Sequence, residues 1–383
     1  MKKINWVNFL HIYQPPWQDR GVIEQASIES YDYLLTLLDK YPKFTFSLNI
    51  SGSLIEQLAE FRPDLLERLQ NLVKKNRIEL VGSAKYHALL PLLPKEEIIR
   101  QIKLSQEVLA KYFSKKIAGF YLPEMAYSKE AAKIIKKQGY EWIILDAINY
   151  AQEVDNNILY EIKDIGLKVV FRDRKISKSY PAEVIYQKLQ SKNIDSATII
   201  TGTDGEMYGH FHEDWQGHLE KILQNENLKI QTVYQYLKTL KQVKKIDLRV
   251  ASWESTEKEL KKRIPFALWQ DPKNKIHRDL WKLVALAIKT VSQNKKDQNY
   301  KWARWHLDRG LSSCTFWWAS ATRPSDFSPL TWNPDMIDNG SEELVRSIRS
   351  LKKIAISQRI KAERLYIQIK KNTWETHWRK YHK

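Results

Sequence analysis

Ala197-Thr-Ile-Ile-Thr201-Gly-Thr-Asp204-Gly-Glu206-Met-Tyr-Gly209-His210 is the stretch on which the fold turns. Residues 197–201 are β-branched and apolar, the composition of a buried strand. The run ends in Asp204-Gly205-Glu206, so the strand delivers two carboxyls at its C-terminal end. The same arrangement recurs upstream. Residues 6–10 read as a strand and lead into His11-Ile12-Tyr13-Gln14-Pro15. Residues 78–81 lead into Ser83-Ala-Lys-Tyr-His87. Residues 118–122 lead into Pro123-Glu124. Further strands are expected at 44–50, 142–145 and 168–171, with helices at 30–40, 53–60, 95–112 and 128–138. Strands separated by helical stretches predict a parallel βα architecture, for which a barrel is the natural closure. In such a barrel the four polar clusters would share one rim.

From about residue 276 the pattern becomes helical. Residues 277–292 and 303–311 predict helices, and 342–383 predicts one long basic helix, punctuated at its start by Asn333-Pro334 and Asn339-Gly340. The expected organisation is α/β: a catalytic barrel over 1–270 and a C-terminal helical domain packed on it over 271–383. No short-period repeat and no low-complexity linker interrupts it.

Composition removes several alternatives. The 383 residues are 43% hydrophobic, enough for a sizeable core. A single cysteine, Cys314, excludes an internal disulfide framework and an all-cysteine metal site, and fits a cytoplasmic location. No run of eighteen apolar residues is present to span a membrane. The segment after Met1-Lys-Lys is short, interrupted by Asn5 and Asn8, and lacks a small-residue cleavage site, so it reads as a strand rather than a secretion signal. The net charge of +18 is spread along the whole chain without a nucleic-acid-binding motif, which reads as a Lys-rich surface and not a nucleic-acid partner.

Acetal cleavage needs one carboxyl to protonate the leaving oxygen and a second carboxylate on the other face of the sugar. Glu124 and Asp204, eighty residues apart at two different strand ends, are the candidate pair. His and Tyr beside them bind hydroxyls and tune carboxyl ionisation. The chain has 14 Trp, flat platforms for sugar faces; Trp17, Trp215, Trp253, Trp317 and Trp318 lie beside these clusters or in the helical half.

These motifs resemble glycoside hydrolase family 57 over nearly the whole chain. The family's His-x-His-Gln-Pro element is matched by residues 11–15, and a segment ending in Pro-Leu by residues 82–92 around His87. Its Trp-x-x-Glu nucleophile motif is matched by Tyr121-Leu-Pro-Glu124, and Asp-Gly-Glu-x-x-Gly by residues 204–209. A Trp-bearing segment is matched by Ser313-Cys-Thr-Phe-Trp317-Trp318. The resemblance implies an incomplete (β/α)7 barrel followed by a C-terminal helical bundle. It implies Glu124 as nucleophile and Asp204 as general acid/base of a retaining enzyme on α-glucans, an amylase or 4-α-glucanotransferase. His11, Tyr13, Gln14, His87, Tyr121, Glu206, His210, Trp253, Trp317 and Trp318 would contact substrate or orient the carboxyls, with no metal and no cofactor. Glu206 is expected to raise the pKa of Asp204 by like-charge repulsion. Three positions depart from the pattern: Tyr13 for a second His, Tyr121 for Trp, and Cys314 for a frequent acid. A chain of this length is expected to lack the extra modules of branching enzymes and amylopullulanases.

Two other readings compete. His210 and His212 with Asp204 or Glu213 could hold a divalent ion for a sugar deacetylase. A non-catalytic glucan- or polyanion-binding protein is the other. Its strongest feature is the basic C-terminal helix, whose Leu351, Ile354, Ile356, Ile360, Leu365 and Ile369 otherwise suggest one apolar face.

Overall fold

The computed structural model describes residues 3–191, 197–324 and 330–381. The chain divides into two compact units. Met1–Gln14, Gln18–Lys85 and Leu90–Trp253 form the first; Pro15–Trp17, Tyr86–Leu89 and Glu254–Lys383 form the second. Residues 270 and 271, where the sequence suggests a boundary, fall inside the second unit, just before the helix Lys275–Gln293.

Among the described residues the first unit holds ten strands: β1 (Ile4–Ile12), β2 (Phe46–Ile50), β3 (Ile78–Gly82), β4 (Gly119–Tyr121), β5 (Trp142–Asp146), β6 (Ile158–Ile162), β7 (Lys168–Arg172), β8 (Ala197–Asp204), β9 (Leu228–Gln231) and β10 (Gln242–Ile246). Seven of them run parallel in the order β7-β5-β4-β3-β2-β1-β8. β8 and β7, the two ends of this series, meet across a seam without a regular ladder. The Asp173 amide donates to the Ile200 carbonyl at 2.7 Å, and the Arg172 guanidinium to the Gly202 carbonyl at 2.6 Å. The result is the incomplete seven-stranded βα barrel. β6 pairs antiparallel with β7 and parallel with β10, and β9 pairs with the N-terminal half of β1.

β1 explains the layering. Ile4, Trp6, Leu10 and Ile12 join the apolar cluster shared with the surrounding helices. The alternate residues face the barrel interior, where the Phe9 ring stacks on Tyr121 at 5.5 Å and His11 on Tyr121 at 4.4 Å. A strand buried on both faces therefore reads as a near-continuous apolar run until its last inward residue, His11. Serines start the helices that follow the strands: Ser51 Oγ accepts from the Leu54 amide, and Ser128 Oγ from Ala131, both at 3.2 Å. The base of the barrel is closed by polar contacts. Glu79 Oε2 on β3 accepts from Ser47 Oγ at 2.6 Å and from the Tyr234 amide at 3.0 Å.

The second unit is helical, with principal helices Lys275–Gln293, Tyr300–Gly310, Pro334–Arg349 and Ile356–Thr376. The single helix expected over 342–383 is two helices, because the break is imposed from elsewhere. The Asp297 carboxylate accepts from the Lys352 and Lys353 amides at 2.9 and 2.8 Å, which turns the chain there. Lys383 lies outside the described residues. The single apolar face is also corrected. Ile356 and Ile360 are exposed, Leu351 is buried in the turn, and Ile369 is buried in the helix. Asn339-Gly340 lies inside the helix Pro334–Arg349 rather than in a turn. A Cβ at Gly340 would collide with Thr315, so this glycine serves close packing.

Candidate active site

The C-terminal ends of β1, β2, β4, β5, β7 and β8 carry His11, Asn49, Tyr121, Asp146, Arg172 and Asp204. Glu124 follows β4 in a short 3₁₀ turn, at φ +61, and Met125 follows at φ +45. Two successive non-glycine residues in the left-handed region cost roughly 1–3 kcal/mol each and persist only where their surroundings hold them. Here the holder is Trp253. Its amide donates to the Glu124 carbonyl at 3.1 Å, and its indole Nε1 donates to Glu124 Oε2 at 2.9 Å. Trp253 is held in turn. The Arg172 guanidinium lies 4.8 Å over its ring, and Arg174 donates to its carbonyl at 2.9 Å. Both arginines bond the fully buried Asp146 carboxylate, at 2.7 and 2.8 Å. An indole N–H given to a carboxylate steadies its ionised form and fixes its direction.

Asp204 ends β8 opposite His11 in the strand register. The next two residues turn back under the rim, because Gly205 leaves no room for a Cβ against Ile12. Glu206 is thereby buried. Tyr31 Oη donates to its Oε1 at 2.5 Å, and Gln14 Nε2 donates to the same oxygen at 3.4 Å. Burial first, and the charge of Asp204 second, push the Glu206 carboxyl up to about 8. The sequence suggests that Glu206 raises Asp204; in the structure the resolved elevation is that of Glu206. Burial, and then the charges of Glu124 and Asp204, raise the Tyr121 hydroxyl well above its usual value. One tyrosine thus feels both candidate carboxylates.

His11 is buried, and loss of solvation lowers it to about 3, so it is neutral. Its Nδ1 lies 2.8 Å from Asn49 Oδ1, while Asn49 Nδ2 donates to the Val81 carbonyl. Nδ1 therefore carries the hydrogen, and Nε2 is the acceptor nitrogen of the ring. Tyr13 stacks 6.4 Å from His11. Trp253 stands edge-on to both His11 and Tyr121. His210, on the loop after β8, pairs through Nδ1 with Glu29 Oε2 at 2.5 Å, and His212 packs 4.3 Å from the Tyr180 ring. No group of three or more metal-ligating side chains converges among the described residues.

The remaining candidates belong to the second unit. His87 is buried at φ +54, with Nδ1 2.8 Å from Ser313 Oγ, and its carbonyl accepts from the Ser313 amide. Ser313 begins the turn that carries Trp317 and Trp318, whose rings pack edge-on at 4.6 Å. Sequence reading missed Asn49, Asp146, Arg172 and Tyr31. The first three end strands, and the rule that located His11 and Asp204 would have found them. Tyr31 sits within a helical stretch and gives no such signal.

Residues 12–249 match the family described as "Glycosyl hydrolase family 57". The alpha-amylase of Pyrococcus abyssi is 26% identical over 273 residues, 66% of this chain and 42% of that protein. The 4-alpha-glucanotransferase of Thermococcus litoralis has a crystal structure that superposes with a TM-score of 0.71 at 22% identity, covering 92% of this chain and 60% of that one. The GH57-type branching enzyme of Pyrococcus horikoshii superposes at 0.63 and 16% identity, covering 96% and 94%. This chain spans less than half the length of the amylase, yet nearly all of the branching enzyme.

Proposed function

The chain belongs to glycosyl hydrolase family 57, and from that premise we propose that it is a retaining enzyme on α-linked glucans, with Glu124 as nucleophile and Asp204 as general acid/base. The observation that carries the reading is geometric: His11 lies opposite Asp204 in the strand register and meets edge-on the Trp253 ring whose N–H holds Glu124. The carboxyls that follow β4 and end β8 thus flank the same pair of rings, which supports a shared site for one glycosidic bond.

Asp204 protonates the glycosidic oxygen while Glu124 attacks the anomeric carbon. The carbon–oxygen bond to the leaving sugar breaks, and a β-linked glycosyl ester forms on Glu124. Asp204 then takes a proton from water or from a sugar hydroxyl, whose oxygen displaces the ester, and the α configuration returns. Trp253 holds the attacking carboxylate, and neutral His11 lies beside it as a hydrogen-bonding group for a sugar hydroxyl. Tyr13, Gln14 and Tyr121 border the same space. His87, Trp317 and Trp318 stand as proposed sugar contacts, and a cytoplasmic location stands as part of the proposal.

One observation favours transfer to sugar over hydrolysis. The loop after β8 exposes Phe211, and Trp215 is 88% exposed. An exposed indole on the segment that follows Asp204 offers a flat face for an acceptor sugar. Incubation with maltoheptaose tests both levels. Shorter or longer maltooligosaccharides are expected from the wild type, with turnover lowered by ~10²–10⁴ in Asp204→Asn and at least as far in Glu124→Gln. Full turnover in either variant would remove that residue from its role.

A further inference from the structure

We propose that the π-helical turn Ser27–Tyr31 is the positioning element of the loop over residues 204–210, and that Tyr31, through its hydroxyl on Glu206, governs where the proton of the Asp204–Glu206 pair rests. The second half rests on Asp204 being the general acid/base.

The geometry comes first. In the i to i+5 turn the Ser27 carbonyl accepts from the Asp32 amide. Three successive side chains of this turn reach one loop. Glu29 Oε2 meets His210 Nδ1 at 2.5 Å, Ser30 Oγ donates to the Gly205 carbonyl at 2.8 Å, and Tyr31 Oη donates to Glu206 Oε1 at 2.5 Å. Successive residues of an α-helix point in directions too far apart to share so small a target. Gly209, at φ +107, lies so close to the Glu29 carbonyl that any Cβ would collide. A π turn is rare and tends to survive where it places functional groups. Here it grips both ends of the loop that carries Asp204.

The proton follows from the same contacts. Glu206 is faced by the Asp204 carboxylate from β8, by the Tyr31 hydroxyl from the π turn, and by the Gln14 amide and the Tyr13 backbone N–H from the end of β1. Burial and Asp204 favour a protonated Glu206, while the three donors favour its carboxylate. Burial and the Asp204 charge hold the Glu206 carboxyl up to about 8, so a proton stays beside Asp204 at neutral pH. The Tyr31 donor lowers the hold of Glu206 on that proton, which eases its passage to Asp204 for delivery. Without the hydroxyl, Glu206 binds the proton more tightly and Asp204 carries it less often.

Tyr31→Phe keeps the ring and removes the donor. The carboxylic C=O infrared band that disappears in Glu206→Gln reports the Glu206 proton directly. Its midpoint is expected near pH 8 in the wild type and about one unit higher in Tyr31→Phe, a tenfold gain in proton affinity. On maltoheptaose, kcat is expected to fall at least about tenfold with KM little changed, and the alkaline limb of kcat/KM to move up with the band. Ser30→Ala loosens the grip without touching the hydroxyl, and is expected to lower kcat while leaving the midpoint in place. The same midpoint in wild type and Tyr31→Phe would overturn the proton assignment. An unchanged kcat in Ser30→Ala would overturn the positioning role. The infrared titration needs no turnover, so it decides the inference even if Asp204→Asn keeps full activity and the acid/base reading fails.

Discussion

At the scale of single residues, the indole of Trp253 is the contact most directly tied to Glu124, the proposed nucleophile. Trp253→Phe preserves most of the packing against Arg172 and Tyr121 and deletes the N–H on Glu124. A hydrogen bond to a charged group contributes about 1.5–3 kcal/mol, so kcat/KM on a maltooligosaccharide is expected to fall by roughly 10–150-fold. An unaltered value would mean that the strained backbone alone aims Glu124. Glu206 makes a thermodynamic prediction of opposite character. Its folded pKa, about 8, stands above the ordinary 4.5. The native state therefore holds a proton that the unfolded chain has released, and stability declines as pH rises from about 4.5 to 8. Glu206→Gln removes this loss, so its melting temperature relative to wild type should climb across that interval. His11 works on the acid side. Lowered to about 3 from 6.5, it makes the fold lose stability as pH falls through that range, because only the unfolded chain takes up the proton. His11 and Asp204 were legible because a polar side chain there ends an apolar run and opens a polar cluster. Tyr31 was not, since its role depends on a helix widening by one residue, which no local pattern announces.

At the scale of elements, glycine chemistry shapes the loop after β8. Gly205 passes against Ile12, and Gly209 lies in the left-handed region against the Glu29 carbonyl. Gly209→Ala is expected to destabilise by more than about 1 kcal/mol and to lower activity, since strain and collision act on the loop that carries Asp204. Thermal melting alongside a maltoheptaose assay checks it; wild-type values in both would show that the loop yields without cost. In the helical unit Asp297 is the corresponding device. Asp297→Ala strips the caps from Lys352 and Lys353 and should lower stability by about 1 kcal/mol. The turn it makes was hidden from sequence reading. The segment around 350–355 has good helix formers, and the residue that breaks it lies more than fifty positions upstream. Sequence also passed over β6, β9 and β10. β10 is largely exposed, and so lacks the buried apolar alternation that marks the inner strands.

At the scale of the whole molecule, the parallel series was readable because its strands are mostly buried on both faces and helical stretches separate most of them. The seam between β7 and β8 was not readable, because side chains and single backbone bonds close it instead of a ladder. The proposed chemistry needs both sides of that incomplete barrel, since β4 supplies Glu124 and β8 supplies Asp204. Its central claim is a covalent glycosyl ester on Glu124. The most direct test is mass spectrometry of the Asp204→Asn variant mixed with α-maltosyl fluoride. Fluoride leaves without an acid, so the first step proceeds, while the missing base slows the second. A maltosyl adduct is expected on the peptide containing Glu124, absent when Glu124→Gln is added. An adduct on another residue, or α-maltosyl fluoride consumed just as fast by the double variant, would contradict Glu124 as the nucleophile.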